Sequence, residues 1–148
     1  MMSVRPLAAA DKAAWLPLWH GYLTFYEASL APEVDDITFS RLTGGAEPMG
    51  GFLCEDEAGR AIGLLHWITH RTCWSEKLTC YLQDLFVAAD VRGGGHGRAL
   101  IEAVYEKAAA MDCQRVYWQT HETNLTAQAL YNRIAVKSGF IVYRKELG

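Results

Sequence analysis

Apolar residues recur along the chain with two different periods, and the places where the period changes lay out the elements. Trp15, Leu18, Trp19, Tyr22, Leu23 and Tyr26 fall three and four positions apart, which predicts a helix from about Ala10 to Ala28. Pro17 lies inside that stretch and predicts a kink or a later start, because proline lacks a backbone donor. A short strand at "SVRPL" precedes the helix. "PEVDDITFSRL" predicts a second, shorter helix, closed by the turn residues of "TGGAEPMGG". Strand-like runs follow: "GFLCEDE" and "RAIGLLHWITHRT" joined at "EAGR" as a hairpin, then "LTCYLQDLFV". Beyond the glycines of "DVRGGGHGRAL", the helical period returns in Leu100, Ile101, Val104, Tyr105, Ala108 and Met111. "RVYWQTH" predicts a strand. "NLTAQALYNRIAVKSG" predicts a helix capped by Asn124 or Thr123, with Gly139 just past its end, and "FIVYRKEL" a last strand.

The resulting order, β-α-α-β-β-β-α-β-α-β, predicts an α/β (α+β) fold. The strand, glycine turn, helix and strand around residues 78–121 form a crossover unit, right-handed by the usual chirality of such connections. The strands before it run as a meander, so the sheet is expected to be mixed. With 148 residues and no repeat or linker, the chain is expected to form a single domain over residues 1–148.

Charge and cysteine usage narrow the function classes. A net charge of −3 with no basic stripe argues against nucleic-acid binding. The longest uncharged runs, "AAWLPLWHGYLTFY" and "AIGLLHWITH", fall short of a membrane span. Arg5, Asp11 and Lys12 interrupt the region where a leader would need an apolar run, so a soluble cytoplasmic protein is expected. Cys54, Cys73, Cys80 and Cys113 contain no C-x-x-C pair. His66, His70, Cys73 and Cys80 match no usual zinc spacing, so reduced thiols and no metal are expected.

The loop "DVRGGGHGRAL" is the strongest chemical signal. A strand that ends in glycines and feeds a helix presents free backbone N–H groups at the helix N-terminus, an anion site above all for phosphate. Arg92 and Arg98 flank it with positive charge. A tight turn with positive φ would need one or two glycines rather than four. The mononucleotide pattern G-x-x-x-x-G-K-S/T is absent, and the dinucleotide pattern G-x-G-x-x-G fails from both Gly93 and Gly95. The pattern R-x-x-G-x-G does fit, with Arg92, Gly95 and Gly97.

On that loop the chain resembles the GNAT superfamily of N-acetyltransferases, whose pyrophosphate loop after the fourth strand reads Q/R-x-x-G-x-G/A. "YLQDLFV" is similar to the family's bulged fourth strand, and "THETNLTAQALYNRIAVKSGF" to its fifth strand, next helix and Gly-Phe ending. The nearest branch by resemblance is the small bacterial relatives of the yeast histone and polyamine acetyltransferases. The resemblance implies a GNAT-like, mainly antiparallel sheet flanked by helices, with acetyl-CoA as cosubstrate. It places the pyrophosphate on Arg92, Gly93, Gly94, Gly95, His96, Gly97 and Arg98, and the pantetheine arm along Leu85, Phe86 and Val87. It sets Asn124 against the cofactor and makes Tyr131 the acid that protonates the departing thiolate. Asn124 and Tyr131 are two helical turns apart and share a face, although Ala127, Leu130, Tyr131 and Ile134 also describe an ordinary core stripe.

An alkyl ammonium is only about one part in a thousand neutral at pH 7, so the acceptor must lose a proton before attack. Asp84 is a lone acid in an apolar strand and is either that base or a carboxylate held by backbone or a tyrosine. Many family members carry Glu where this chain has Gln83, which puts a direct base at 83 in doubt. Glu122 is the second candidate. Trp15, Trp19, Tyr22, Phe25, Tyr26 and Glu27, with Glu33, Asp35 and Asp36, form either an aromatic, acidic receptor for a cationic amine or a packed helix with a solvated acidic face. Trp19, Tyr22, Tyr26, Glu27, Gln83 and Asp84 are the residues taken for the acceptor site. No thiol has an evident His partner near the loop, so direct attack without an acyl-enzyme is expected. The acceptor expected is a small cationic amine or polyamine, with an amino acid or protein lysine as alternatives, and a homodimer is expected from the family's habit. An acyl-CoA-binding sensor without turnover is the competing reading, favoured by Gln83 alone.

Overall fold

The computed structural model describes residues 2–148, and its contacts divide the chain into two compact units, Met1–Trp118 and Gln119–Gly148. In the first unit, β1 (Ser3–Pro6), β2 (Met49–Glu55), β3 (Ala61–His70), β4 (Leu78–Val87) and β5 (Cys113–Tyr117) form one sheet in sequence order. The first four strands are antiparallel neighbours, and β5 joins β4 in parallel through the crossover helix α3 (His96–Ala110). The sheet is mixed, as the strand order predicted, and mainly antiparallel, as the resemblance implied.

Helices α1 (Lys12–Phe25) and α2 (Pro32–Gly44) cover one sheet face. Trp15, Leu18, Trp19 and Leu23 of α1 recur at helical spacing and are buried with Phe39 and Leu42 of α2 against Leu53 and Leu64. Gly63, beside Leu64 on β3, points to the opposite face, where a Cβ would sit 3.1 Å from Leu100 Cδ1 of α3. Leu100, Ile101, Val104 and Ala108 form the buried stripe of that helix. The sheet is thus a layer between helices, and its core needs no polar group except those discussed below.

Helix α1 begins later than expected, after a 3-10 turn over Ala9–Asp11, and Pro17 lies within it. Its end is sharper too. Glu27 N–H donates to Thr24 O (2.9 Å) and Ala28 N–H to Leu23 O (2.8 Å), with Glu27 at φ 55. These two bonds are those of a left-handed C-terminal cap, here with a non-glycine residue in the left-handed position.

The second unit carries α4 (Leu125–Ile134), with Asn124 as N-cap. Two expectations fail here. The helix stops at Ile134 because Ala135 turns extended (φ −153, ψ −178), so it does not run on toward Gly139. The strand expected at "FIVYRKEL" does not form, and residues 136–148 carry no regular element. A strand needs a partner ladder, and no strand among the described residues pairs with this segment. Strand β5 likewise stops at Tyr117 and leaves Thr120 and His121 outside it.

Candidate active site

Strand β4 reaches the site by a bulge. Trp67 pairs with Leu82 and His66 with Asp84, so Gln83 is an extra residue on β4. The extra residue points Gln83 to solvent and turns both Leu82 and Asp84 inward. Beyond Tyr81, β5 no longer follows, and Leu82–Val87 have no strand partner on that side among the described residues. Backbone groups there are left for something else to bind.

After Val87 the chain makes a 3-10 turn over Ala89–Val91 and enters the glycine loop. Gly93 and Gly95 stand at φ 90 and φ 81, which a side chain would oppose. Gly95 is the N-cap of α3 and supplies no capping side chain, so the first amides of the helix remain open. A Cβ at Gly94 would lie 2.7 Å from His96 Nε2, so a side chain there would displace the imidazole. The flanking arginines are engaged. Arg92 Nε donates to Val87 O (3.1 Å) while its guanidinium lies over the Phe25 and Phe86 rings, 5.6 Å from each centroid. Arg98 pairs with Glu102 one turn on (2.8 Å).

Asp84 is buried, and its hydrogen-bond partner is a side chain. His66 Nδ1 lies 2.9 Å from Asp84 Oδ2, and the Tyr22 phenol lies within reach of the carboxylate's charge. Burial first, and the Asp84 charge second, push the Tyr22 phenol well above its ordinary range. The Tyr81 phenol is raised as well, chiefly by burial, with Tyr117 and Asp84 adding to the shift. The Tyr81 and Tyr117 rings are 4.8 Å apart, and Tyr117 OH meets His70 Nε2 at 2.8 Å. A carboxylate beneath half-buried tyrosines is a group that could accept a proton from, and attract, a cation. His66 is the site residue that the sequence did not reveal. Its role depends on strand register across a bulge, and no local pattern announces that.

Other acceptor candidates scatter. Trp19 is core, not surface, and its indole N–H donates to Asp35 Oδ1 (2.9 Å). Asp35 is itself buried and also meets His20 Nε2 at 3.0 Å, so it is neither on a solvated face nor open to a substrate. Tyr26 is half exposed, and exposed Glu27 serves as the cap of α1. The Cys54 Sγ lies 3.9 Å from His96 Nδ1, contrary to the expectation of no thiol–histidine contact near the loop. Cys54 is fully buried, and burial raises its thiol, so it is a poor nucleophile. Burial likewise pushes Cys80 up to about 12. Among the described residues no three His, Cys, Asp or Glu side chains gather as a metal site, and no helix is long and apolar enough to cross a membrane.

In the second unit, Asn124 Oδ1 accepts from Ala127 N (3.4 Å). Asn124, Ala127, Tyr131 and Ile134 share one half-buried face of α4, while Glu122 is exposed. Asp84, singled out as a lone acid in an apolar strand, and Tyr131, assigned its role by resemblance, belong to different units.

Residues 15–135 match the model of the acetyltransferase (GNAT) family. The chain belongs to that family. As a GNAT member it is an acyltransferase. It is 36% identical over 143 residues to the D-amino-acid N-acetyltransferase HPA3 of Saccharomyces cerevisiae, covering 96% of this chain and 89% of that protein. Two solved structures share the GNAT fold at low identity. The ribosomal-protein-alanine N-acetyltransferase of Brucella melitensis biovar Abortus 2308 superposes with a TM-score of 0.84 at 18% identity, covering 99% of this chain and 100% of that one. AAC(6')-Iy, in complex with a bisubstrate analog CoA-S-monomethyl-acetylneamine, gives 0.86 at 14% identity, covering 100% and 99%.

Proposed function

We propose that this GNAT member transfers an acetyl group from acetyl-CoA to the primary amine of a small molecule, with D-amino acids first among the acceptors. The observation that carries the donor is the conjunction of an uncapped α3 N-terminus with an open β4 edge. Amides from Gly93 through Arg98 suit a pyrophosphate, which a helix dipole favours. The free backbone of Leu85, Phe86 and Val87 suits the amide-bearing pantetheine arm. An N–H there also suits the thioester oxygen as charge develops on it. When bound, acetyl-CoA supplies an activated thioester. The yeast relative's name supports an amino-acid acceptor, and the AAC(6')-Iy complex supports a CoA donor with a small-molecule amine.

Asp84 is the proposed base, taking the ammonium proton so that the amine nitrogen can attack the thioester carbonyl. As the carbon–sulfur bond breaks, Tyr131 gives its proton to the thiolate, and Asn124 steadies the cofactor, both by resemblance. Glu122, exposed in the second unit, is the alternative base. The two raised buried thiols support direct attack without an acyl-enzyme. The acting unit is proposed to be one N-acetyltransferase domain over residues 1–148, cytoplasmic, assembled as a homodimer.

The test is thiol release from acetyl-CoA with D- and L-amino acids, spermidine, a lysine-rich peptide and an aminoglycoside. Amine-dependent release that is fastest with a D-amino acid, and falls about 10- to 1000-fold in Tyr131→Phe, is the expected outcome. Equal release in wild type and Tyr131→Phe removes Tyr131 as the acid. A preference for spermidine or the peptide overturns the acceptor class.

A further inference from the structure

Trp15, His66 and Asp84 form a buried chain of hydrogen bonds that runs from the core to the proposed base. The indole Nε1 of Trp15 lies 2.9 Å from His66 Nε2, and His66 Nδ1 lies 2.9 Å from Asp84 Oδ2. Trp15 is fully buried, His66 is 2% exposed and Asp84 8% exposed. An indole nitrogen can only donate, so His66 Nε2 must accept and carries no proton. The ring's single proton is therefore on Nδ1, and it is donated to the carboxylate. Trp15 writes the tautomer of His66 through one bond.

We infer that His66, locked by Trp15, is a positioning residue for Asp84, an inference that rests on the base role proposed above. One carboxylate oxygen is fixed by the imidazole N–H. That bond fixes the plane of the carboxylate and leaves its remaining lone pairs for a proton from the acceptor. His66 does not pass that proton onward. A relay would load a second proton on Nε2, and the Trp15 N–H occupies that lone pair. The backbone supports the same end, because His66 and Asp84 are register partners at the bulge, where the extra Gln83 turns Asp84 inward. Aromatic packing holds the ring's plane, with His66 centroids 5.9 Å from Trp15 and 5.1 Å from Trp19.

The decisive comparison sets His66→Phe, His66→Asn and Asp84→Asn against wild type, using acetyl-CoA and the fastest acceptor of the panel above. Phe keeps a ring without a donor, whereas the Asn amide places an N–H where Nδ1 stands. The expected result is a kcat lower by roughly 10- to 100-fold in His66→Phe, the size that orienting partners commonly carry. The KM for acetyl-CoA should stay unchanged, and His66→Asn should recover most of the rate. A His66→Asn variant as slow as His66→Phe overturns the inference, since the donor then does not matter. Wild-type turnover in His66→Phe beside an inactive Asp84→Asn overturns it while leaving the base in place. Wild-type turnover in Asp84→Asn removes the base and the inference together. Nitrogen-15 spectra of the unaltered protein give a readout independent of folding defects. A protonated Nδ1 with a bare Nε2 supports the inference, and the opposite tautomer or a doubly protonated ring overturns it.

Discussion

Gly93 shows how a single residue sets the affinity of the loop. It stands at φ 90 with nothing within 4 Å of the Cβ it lacks, so space does not forbid a side chain there. Conformation does, at a cost of about 1–2 kcal/mol for an L-residue held in the left-handed region. Alanine at 93 would either carry that strain or turn the neighbouring amides away from the cradle. Gly93→Ala is therefore expected to raise the KM for acetyl-CoA severalfold while kcat changes little, because residue 93 makes no contact with the reacting atoms. Steady-state kinetics with varied acetyl-CoA would check this. An unchanged KM would mean that the amides around 93 do not bind the cosubstrate. The glycine requirement was legible from density alone, since four glycines around one histidine have little other use. His66 was not legible, because its chemistry comes from residues 51 positions before it and 18 after it.

Among elements, the clearest electrostatic tie joins β1, the first 3-10 turn and β2 through Arg5. Its guanidinium reaches both oxygens of Asp11 at 2.9 Å and Glu55 Oε1 at 2.7 Å. Asp11 Oδ2 also accepts the Ala8 amide (2.7 Å), which closes the turn before α1. The Arg5 hydrogen bonds, opposed by desolvation and aided by Ala8, hold the Asp11 carboxyl below the usual carboxylate range. A carboxyl depressed in the folded state adds stability above its unfolded pKa and loses it as pH falls through the folded value. Asp11→Asn is thus expected to cost about 1 kcal/mol at pH 7, a figure kept small because Arg5 is partly solvated. The gap to wild type should begin to shrink below about pH 4, where Asp11 of the unfolded chain takes up its proton, and close only once the pH falls below the depressed folded-state value. Urea unfolding at pH 7 and pH 3 would measure it, and an undiminished gap at pH 3 would show that the effect is not electrostatic.

At the scale of the whole molecule, most of the element order followed from periodicity, because buried stripes on α1, α3 and β4 must repeat with their element's period. The C-terminal segment did not follow, since "FIVYRKEL" has the composition of a strand and composition does not supply a partner. Phe140, Ile141, Val142, Tyr143 and Leu147 are between 67% and 93% exposed, a dense apolar run for a monomer's surface. Strand-formers with unmet backbone groups and apolar side chains gain both on joining another chain's sheet. A second copy of this chain fits the proposed homodimer and supplies such an edge in β5, the last strand of its sheet. A dimer is therefore expected by sedimentation at micromolar concentration. Val142→Lys should shift it toward monomer, because an ammonium buried in an apolar interface without a partner costs several kcal/mol. Activity per chain that falls together with the dimer would tie assembly to catalysis. A wild-type monomer whose residues 136–147 exchange amide protons as an unprotected coil would instead leave the run without a partner and the homodimer without support.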